Sequence, residues 1–406
     1  MPLERFVPEL SKQLAALDAA GTAKGAEAVV TEVRKPRGGR GPRVLLEGRG
    51  EREFIRMNSN SYLGMGIQPA VRAAEEHAAA RFGVGPGAVR FISGTYEPHL
   101  RLERALADFH GREACLVAGS AYTSVMGVLV SLSTRETVLI SDELNHNCIV
   151  NGMKLAPSKA RRVYPHLDLA ALSRHLAEAE GECAIVITDG VFSMRGDHAP
   201  LDRIAELVRK YDGRFARGAV LMVDDSHGVG AFGATGRGTE EIASGRADIL
   251  VGTLGKALGV NGGYVVCDAG VVRFLREKNP FYIYSNPIAA GEAAAALAAL
   301  QLLQSAEGAA LLAHLREMTA RFRRGLTSLG LETIDGQHPV VPLLVRDTDK
   351  TRALVAHLRE GGVLATGLNY PVVPRGQQLI RFQVSADHTA GDIDEVLRVL
   401  SLFGKG

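Results

Sequence analysis

Short apolar runs recur through the middle of the chain and predict the strands of a β-sheet. Most of them are separated by stretches long enough to hold a helix. Continuous apolar strands that alternate with helices are typical of a parallel sheet covered on both faces. The runs span residues 114–117, 137–141, 184–188, 219–224, 247–252 and 263–267. We therefore expect an α/β fold built on a parallel sheet.

Helical spacing of apolar residues is found near both ends of the chain. A first helix is predicted from the repeat of Phe6, Leu10, Leu14 and Leu17, with Gly21 as its stop. Two consecutive helical segments are expected over 287–305 and 309–329. The C-terminal residues then follow the order strand, helix, strand, helix, over 340–345, 349–360, 379–384 and 389–403. This order predicts a smaller α+β domain.

The length of the chain allows two domains and an N-terminal arm. It has 406 residues, of which 46% are hydrophobic, so it can bury a large core. We predict an N-terminal helix and arm over 1–56, a large domain over 57–288 and a small C-terminal domain over 289–406.

Composition narrows the classes of partner and compartment. The 47 Lys and Arg residues nearly balance the 45 Asp and Glu residues, so we expect neither nucleic acid nor an acidic membrane as the main partner. Four scattered cysteines without a CxxC pair argue against a disulfide framework or a zinc site, and no metal is predicted. No apolar run reaches the roughly 18 residues of a membrane helix, and the first 20 residues lack a signal-peptide core. We expect a cytoplasmic protein.

A basic segment rich in glycine and proline, residues 35–43, precedes the regular part of the chain. We interpret it as a solvated loop. The alternative is a patch that contacts the phosphates of a nucleotide-like substrate.

Polar residues follow several of the predicted strands, and this clustering is the main sign of a functional site. They are Ser120, His146, the segment 189–193, the segment 224–227 and the segment 253–256. In parallel α/β sheets, ligands bind beyond the carboxyl ends of the strands. We therefore expect these residues to lie close together.

Lys256 ends the sequence Thr-Leu-Gly-Lys directly after an apolar strand. A desolvated lysine has a lowered pKa, and its neutral amine can form a Schiff base with an aldehyde. The alternative is an ordinary surface lysine. A phosphate-binding P-loop is excluded, because Leu250 stands where the first glycine belongs and Ala257 where Ser or Thr is required.

Asp224 and His227 lie at the end of another predicted strand. A buried carboxylate that faces a pyridine nitrogen keeps it protonated, and the ring then accepts electrons from a carbanion. Asp224 is the candidate for this carboxylate, and His227 for a hydrogen bond to the phenolic oxygen of the ring. The alternative is an Asp–His pair that only caps a turn.

The sequence Gly228-Val-Gly-Ala-Phe-Gly233 matches the dinucleotide fingerprint G-x-G-x-x-G. That motif requires a helix N-terminus for the pyrophosphate. Gly236 and Gly238 follow at once, so no helix is expected to begin here, and we reject a dinucleotide site.

Three further positions are candidates for binding. The loop 119–124 is expected to lead into a helix, whose free N–H groups can hold a phosphate, or it is capped only by Ser120 or Thr123. His146 can stack on a planar cofactor or be an ordinary polar residue. Arg381 alternates with apolar residues on a strand and requires an anion, either a substrate carboxylate or an internal acidic residue.

Taken together, these residues and their order resemble the α-oxoamine synthases, a branch of the fold-type I pyridoxal-phosphate (PLP) enzymes. The motifs of the resemblance are Asn58-Ser-Asn-Ser-Tyr-Leu-Gly64, Arg90-Phe-Ile-Ser-Gly-Thr95, Leu144-Asn-His146, Asp189-Gly-Val-Phe-Ser-Met194, Val223–His227 and Thr253-Leu-Gly-Lys-Ala-Leu-Gly259. Within the family, the stretches 366–374 and 380–389 are most like glycine C-acetyltransferase. The resemblance implies a mostly parallel seven-stranded sheet in the large PLP-binding domain.

The resemblance also implies an activity. Members condense an amino acid with an acyl-CoA, lose CO2 in most cases and release CoA, and glycine is the favoured amino acid here. The alternatives are an 8-amino-7-oxononanoate synthase or a serine palmitoyltransferase-like specificity, or a PLP aminotransferase on the same fold. An inactive partner subunit of a heterodimer is a further alternative, although such subunits usually lack the lysine that Lys256 provides.

Residue roles are carried over from the matching motifs. The implied ring contacts are Lys256 as Schiff-base lysine and general base, Asp224 at the pyridinium, His146 stacked on the ring, and His227 and Ser193 on the phenolic oxygen side. The implied phosphate contacts are Ser120, the N–H groups of Ala121 and Tyr122, and the hydroxyl of Thr253. Asn60 and Arg381 are implied to hold the amino-acid carboxylate. A homodimer with shared sites is expected, in which Ser285 and Asn286 reach the phosphate of the partner subunit.

Four places depart from the glycine C-acetyltransferase pattern. They are Arg195 in place of an acidic residue, Ala121-Tyr122 in place of Cys-Phe, Tyr284-Ser-Asn-Pro in place of Ser-Asn-Ser-Leu, and Ser61 in place of Asn. These changes touch the edges of the site, so the acyl donor stays open. An additional arginine can favour an acidic or otherwise unusual acyl group.

Overall fold

The computed structural model describes residues 3–20, 22, 23 and 25–404. The predicted helix stop at Gly21 lies outside the described residues. The helices are α1 Leu3–Ala19, α2 Pro69–Phe82, α3 Glu97–His110, α4 Ala121–Leu132, α5 Asn147–Leu155, α6 Leu169–Ala177, α7 Leu201–Tyr211, α8 Thr239–Ile242, α9 Ala269–Lys278, α10 Pro280–Ile283, α11 Ala290–Leu303, α12 Ala306–Ser328, α13 Thr348–Glu360 and α14 Ala390–Ser401.

Fourteen strands alternate with these helices along the described residues. They are β1 Val30–Arg34, β2 Arg43–Leu46, β3 Ile55–Arg56, β4 Ala114–Ala118, β5 Thr137–Asp142, β6 Ala160–Tyr164, β7 Cys183–Asp189, β8 Ala219–Asp224, β9 Ile249–Thr253, β10 Gly263–Cys267, β11 Val340–Leu344, β12 Val363–Leu364, β13 Thr366–Leu368 and β14 Leu379–Gln383.

The central sheet has seven strands in the order β4-β10-β9-β8-β7-β5-β6, and the predicted fold class is confirmed. Strands β6, β5, β7, β8 and β9 run parallel, whereas β10 is antiparallel to both of its neighbours. The loop 254–262 explains this exception, because it is too short for the crossover that a parallel neighbour of β9 would need. The carboxyl ends of β5, β7, β8 and β9 therefore meet at one edge of the sheet.

Two apolar layers cover the two faces of this sheet. Val138 and Ile140 of β5 belong to the layer that contains Leu102 of α3. Leu139, which points the opposite way, belongs to the layer that contains Leu129 of α4. Every residue of β5 and β7 is buried, as the continuous apolar runs predicted.

The C-terminal part has its own sheet of three antiparallel strands, in the order β11-β14-β13, next to α12, α13 and α14. The N-terminal arm packs on this part of the molecule. Strand β3 pairs in parallel with β12, and Arg43 of β2 forms a buried ion pair with Asp392 of α14. In the basic segment 35–43, Arg37 and Arg40 are exposed, but Arg43 is buried. The predicted domain limits at residues 56 and 288 stay a prediction.

Within the described part of the chain, no individual helix has both the length and the apolar composition to cross a bilayer, although α11 and α12 would together, with a bend of 77° between them.

Candidate active site

The carboxyl edge of the central sheet brings the predicted site residues together. In the register of the parallel strands, Asp189 of β7 lies opposite Asp224 of β8, and Asp224 lies opposite Val251 of β9. Lys256 follows β9 by three residues, and the loop that contains it therefore begins beside Asp224. His146 follows β5 at the same edge and caps α5.

Asp224 is buried and has two hydrogen-bond donors near its carboxylate. Its Oδ1 accepts the Ser226 N–H at 3.1 Å, and its Oδ2 lies 3.4 Å from the Cys148 thiol sulfur. The same sulfur lies 2.9 Å from Nδ1 of His146. The Cys148 thiol therefore joins the two residues expected at the pyridine ring. Sequence reasoning missed it, because a single cysteine inside a helix carries no motif.

Asp189 supports this arrangement from the neighbouring strand. Its Oδ2 accepts the backbone N–H of His146 at 3.0 Å, and its own N–H donates to Asn145 Oδ1 at 2.7 Å. Burial and the neighbouring Asp224 carboxylate raise the pKa of Asp189 well above its usual value. The backbone at His146 is thus fixed by a buried carboxyl group.

Lys256 lies within electrostatic range of both carboxyl groups. Burial lowers the pKa of its amine, and the charges of Asp224 and Asp189 oppose that change without cancelling it. In the described residues its Nζ makes no hydrogen bond or ion pair. A lysine with a lowered pKa and no partner can be a neutral nucleophile or base.

His227, three residues after Asp224, is buried and makes two hydrogen-bond contacts. Its Nδ1 lies 2.7 Å from the Tyr62 hydroxyl, and its carbonyl oxygen accepts from Nε2 of His338 at 2.8 Å. Burial lowers the pKa of His227 well below its usual value, and the charge of Lys256 lowers it further. His227 is therefore a neutral imidazole. Tyr62 belongs to the family motif at residues 58–64, but its contact with His227 was not predicted.

The loop before α4 leads into a helix N-terminus, and its predicted phosphate contacts stay a prediction. Ser120 caps the helix, because its Oγ accepts the Thr123 N–H at 3.1 Å. Within the described chain the N–H groups of Ala121 and Tyr122 have no acceptor, which is usual for the first turn of a helix. A Cβ on Gly263 of β10 would lie 2.1 Å from the Ala121 nitrogen, so only glycine allows β10 to approach this turn.

Thr253, Ser285 and Asn286 are the other residues predicted to contact the phosphate. The Thr253 hydroxyl donates to the Gly262 carbonyl at 3.2 Å and accepts the Gly255 N–H at 3.1 Å. Ser285 and Asn286 are exposed, and the Asn286 carbonyl lies 3.5 Å from the position of a Cβ on Gly119. Their predicted contact with a partner subunit stays a prediction.

Arg381 and Asn60 lie where the C-terminal sheet meets the candidate site. Arg381 Nη1 donates to the Ser193 carbonyl at 3.2 Å, whereas its Nε is buried without an acceptor in the described chain. Burial lowers the pKa of the guanidinium. Asn60 Oδ1 accepts from the Gln383 side chain, two residues further along β14. An arginine with an unused buried donor can bind an added anion.

A cleft of about 970 Å³ adjoins these residues. Its walls include His146 and Ser193 from the sheet edge, and Leu344, Val373 and Leu379 from the C-terminal part. A cleft of this volume accommodates an organic substrate.

The chain matches the family model for class I and II aminotransferases over residues 52–400. It is 39% identical over 384 residues to an 8-amino-7-oxononanoate synthase of Geobacter metallireducens, covering 94% of this chain and 96% of the relative. A synthase of the same name from Geobacter sulfurreducens is 41% identical over 377 residues, covering 92% and 94%. Among solved structures, the serine palmitoyltransferase of Sphingomonas wittichii superposes with a TM-score of 0.88 at 27% identity, over 99% of this chain and 98% of that one.

The chain belongs to the α-oxoamine synthases. It is a PLP-dependent transferase of fold-type I. The expected closeness to glycine C-acetyltransferase stays unconfirmed. The similar enzymes favour the alternative specificity, that of an 8-amino-7-oxononanoate synthase.

The residues of this synthase fit its cofactor. Two helix N–H groups without acceptors suit a phosphate, the buried Asp224 suits a protonated ring nitrogen, and the unpaired Lys256 suits an aldehyde. These features lie on adjacent strands of one sheet edge. The rejected dinucleotide motif at 228–233 forms turns, and the next helix begins only at Thr239.

Proposed function

We propose that this chain is an 8-amino-7-oxononanoate synthase, which joins alanine to a pimeloyl thioester and releases CO2 and the thiol. The observation that carries the proposal is the identity of 39% and 41% to enzymes of that name over more than nine tenths of both chains. The carbon count supports these substrates. The last two carbons of a 7-oxo-8-aminononanoate correspond to alanine without its carboxyl group, and the other seven to a dicarboxylic acyl group.

Lys256 is proposed to be the residue that carries the cofactor and then moves the proton. Its amine is neutral at a higher fraction than that of an exposed lysine, because burial lowers its pKa. A free Lys256 amine would then be able to take the α-proton of the amino acid. Bound pyridoxal phosphate supplies a protonated pyridine ring that accepts the resulting negative charge.

Asp224 and His227 are proposed to set the charge at the two sides of the ring. Asp224 holds a proton at the ring nitrogen, and the Cys148 thiol and the Ser226 N–H fix the orientation of its carboxylate. His227 is a neutral imidazole whose Nδ1 contacts Tyr62, so its Nε2 is the atom left for the phenolic oxygen. His146 covers one face of the ring.

Arg381 and Asn60 are proposed to bind the carboxylate of the amino acid. The unused buried Nε of Arg381 supports this role, since a carboxylate would satisfy it. The bond from Arg381 to the Ser193 carbonyl fixes the direction of the guanidinium. With its direction fixed in this way, Arg381 would orient the carboxylate that leaves as CO2.

A homodimer is proposed as the working form. Helix α1 buries none of its side chains within the described chain. Large apolar residues are also exposed elsewhere on the surface, and they include Val84, Phe91, Ile92 and Tyr284. Exposed apolar patches of this kind usually mark a protein interface. Ser285 and Asn286 lie next to Tyr284 and are proposed to complete the phosphate site of the partner.

A substrate panel tests the proposed activity. The enzyme with cofactor is assayed with alanine, glycine or serine against pimeloyl-, acetyl- and palmitoyl-CoA, and free thiol and CO2 are measured. We expect the highest kcat/KM for alanine with pimeloyl-CoA. A preference for glycine with acetyl-CoA would contradict the proposal, and so would keto-acid exchange without thiol release.

A further inference from the structure

The large cleft beside the active site has one strongly apolar wall. Met194, Val372, Val373 and Leu379 contribute to it, together with Leu144. His146 and Ser193, which belong to the candidate active site, line the same cleft. A linear acyl chain can therefore leave the reacting centre along apolar side chains.

Two arginines line this cleft, and their guanidinium groups differ in what they already bind. Both Nη atoms of Arg346 donate to the carboxylate of Glu332. Arg195 uses only its Nε, which donates to Asp197 Oδ2 at 2.7 Å. Both Nη groups of Arg195 lack a partner in the described part of the chain, and the side chain is 34% exposed. Arg195 thus offers a free guanidinium edge to the cleft.

The Asp197 carboxylate, which accepts from Arg195, has His166 as a second hydrogen-bond partner. Nε2 of His166 lies 3.2 Å from Asp197 Oδ2, and its Nδ1 lies 3.1 Å from Oδ1 of the buried Asp142. The His166 ring also packs edge-on against Phe192, with centroids 4.4 Å apart. Asp142, His166, Asp197 and Arg195 form one continuous chain of alternating charge.

Glu143 is the acidic residue that lines the cleft, and its carboxylate already accepts a hydrogen bond. Its Oε1 accepts the backbone N–H of His166 at 2.8 Å. Its charge therefore lies toward the His166 loop. Among the charged side chains that line the cleft in the described part of the chain, Arg195 is the one with both Nη groups unused.

We propose that Arg195 binds the distal carboxylate of an ω-carboxyacyl thioester, and that Asp197 and His166 are positioning residues for its guanidinium. The apolar wall then contacts the methylene chain between the carboxylate and the thioester. This inference rests on the proposed function and adds to it the residue that selects a dicarboxylic acyl group over a plain fatty acyl group.

The test compares two acyl donors of equal chain length. Pimeloyl-CoA carries the distal carboxylate, and heptanoyl-CoA does not. With Arg195→Met, we expect kcat/KM for pimeloyl-CoA to fall about 10- to 100-fold, the usual range for a lost charged hydrogen bond, and less than about twofold for heptanoyl-CoA. The fall is expected mainly in KM, because the distal carboxylate binds equally before and during reaction.

Two further variants separate positioning from general damage. His166→Gln leaves Arg195 in place but removes the charged partner of Asp197, and we expect a smaller loss of the same selectivity. Arg346→Met changes the other arginine of the cleft and is expected to affect both donors equally. An equal loss for both donors with Arg195→Met, together with weaker inhibition by CoA, would mean that Arg195 binds a phosphate of CoA, and would overturn the proposal.

Failure of the proposed function is distinguishable from failure of this inference. If the wild-type enzyme with cofactor does not turn over alanine with pimeloyl-CoA, the proposed function fails. Calorimetry then measures Kd for pimeloyl-CoA and heptanoyl-CoA on the wild type and Arg195→Met. A ratio of the two constants that is the same in both proteins overturns the assignment of Arg195, whereas a ratio that falls in the variant supports it.

Discussion

His166 is a histidine held between two carboxylates, and its protonation should be visible in the stability of the protein. Burial alone would lower its pKa, but Asp142 and Asp197 raise it to about 9. A raised histidine pKa stabilises the folded state below the unfolded value near 6.5, and this stabilisation is lost as the pH rises through 9.

We expect His166→Gln to lower the free energy of unfolding by about 3 kcal/mol at pH 6, with the difference shrinking toward pH 10. Denaturant unfolding across this pH range measures it. His77→Gln, at an exposed position of α2, is the control and should give no such trend. A His166→Gln difference that is independent of pH would contradict a raised pKa of His166 in the folded protein.

At this same scale, part of the site was predictable from the sequence. Lys256 and Asp224 follow apolar strands, and parallel strands bring their carboxyl ends to one edge. Cys148 and Tyr62 were not predictable as partners of His146 and His227. Their contacts depend on side-chain directions across different elements, which strand order alone does not define.

At the scale of elements, the contact between β10 and α4 determines the shape of the phosphate site. Gly263→Ala would place a Cβ 2.1 Å from the Ala121 nitrogen and must displace the first turn of α4. We expect the Kd for pyridoxal phosphate to rise at least about tenfold, because helix N–H donors act only at the correct distance.

Fluorescence titration of the cofactor-free protein measures that Kd, and thermal unfolding of the same samples reports stability separately. Gly213→Ala is the matched control, since a Cβ there meets nothing within 4 Å. Unchanged cofactor affinity in a folded Gly263→Ala protein would contradict the proposed phosphate site.

The elements that were predicted lie within three residues of their observed bounds, because buried parallel strands are continuous apolar runs and helices repeat every three or four residues. Strands β1 to β3, β12 and β13 were missed, and so was β6 of the central sheet. Its residues Ala160–Tyr164 alternate between exposed and buried and include Arg161 and Arg162, as suits the edge of a sheet. The antiparallel direction of β10 was not predicted either, although the short loop before it requires that direction.

At the scale of the whole molecule, the exposed apolar surface predicts a dimer. We expect analytical ultracentrifugation to give twice the chain mass of 43.3 kDa. The double variant Phe91→Asp, Ile92→Asp should be monomeric and bind the cofactor more weakly, because charge on a buried apolar interface is unfavourable and the phosphate site is proposed to be shared between subunits.

Leu329→Asp is the control for that double variant, since it places the same charge at an exposed apolar position at the end of α12. It should remain dimeric. A wild-type protein that sediments as a monomer with full cofactor affinity would contradict the shared site.

The arrangement of the molecule as a whole was less predictable than its elements. The N-terminal arm was predicted as a separate part, yet β3 pairs with β12 and Arg43 pairs with Asp392. Such contacts join residues more than 300 positions apart, and no local pattern encodes them. The acyl donor was left open because four positions at the edges of the site depart from the glycine C-acetyltransferase pattern. The cleft itself was not predicted, since it is built from two distant parts of the chain.

The attachment point of the cofactor is the central claim, and borohydride reduction followed by peptide mapping tests it most directly. Reduction converts a lysine–cofactor link into a stable amine, and the peptide that contains Lys256 should then carry the phosphopyridoxyl group. Lys256→Ala should be unlabelled, whereas Lys278→Ala, which changes a lysine in the last turn of α9, should be labelled like the wild type. A label on another lysine, or equal labelling of Lys256→Ala, would contradict the account.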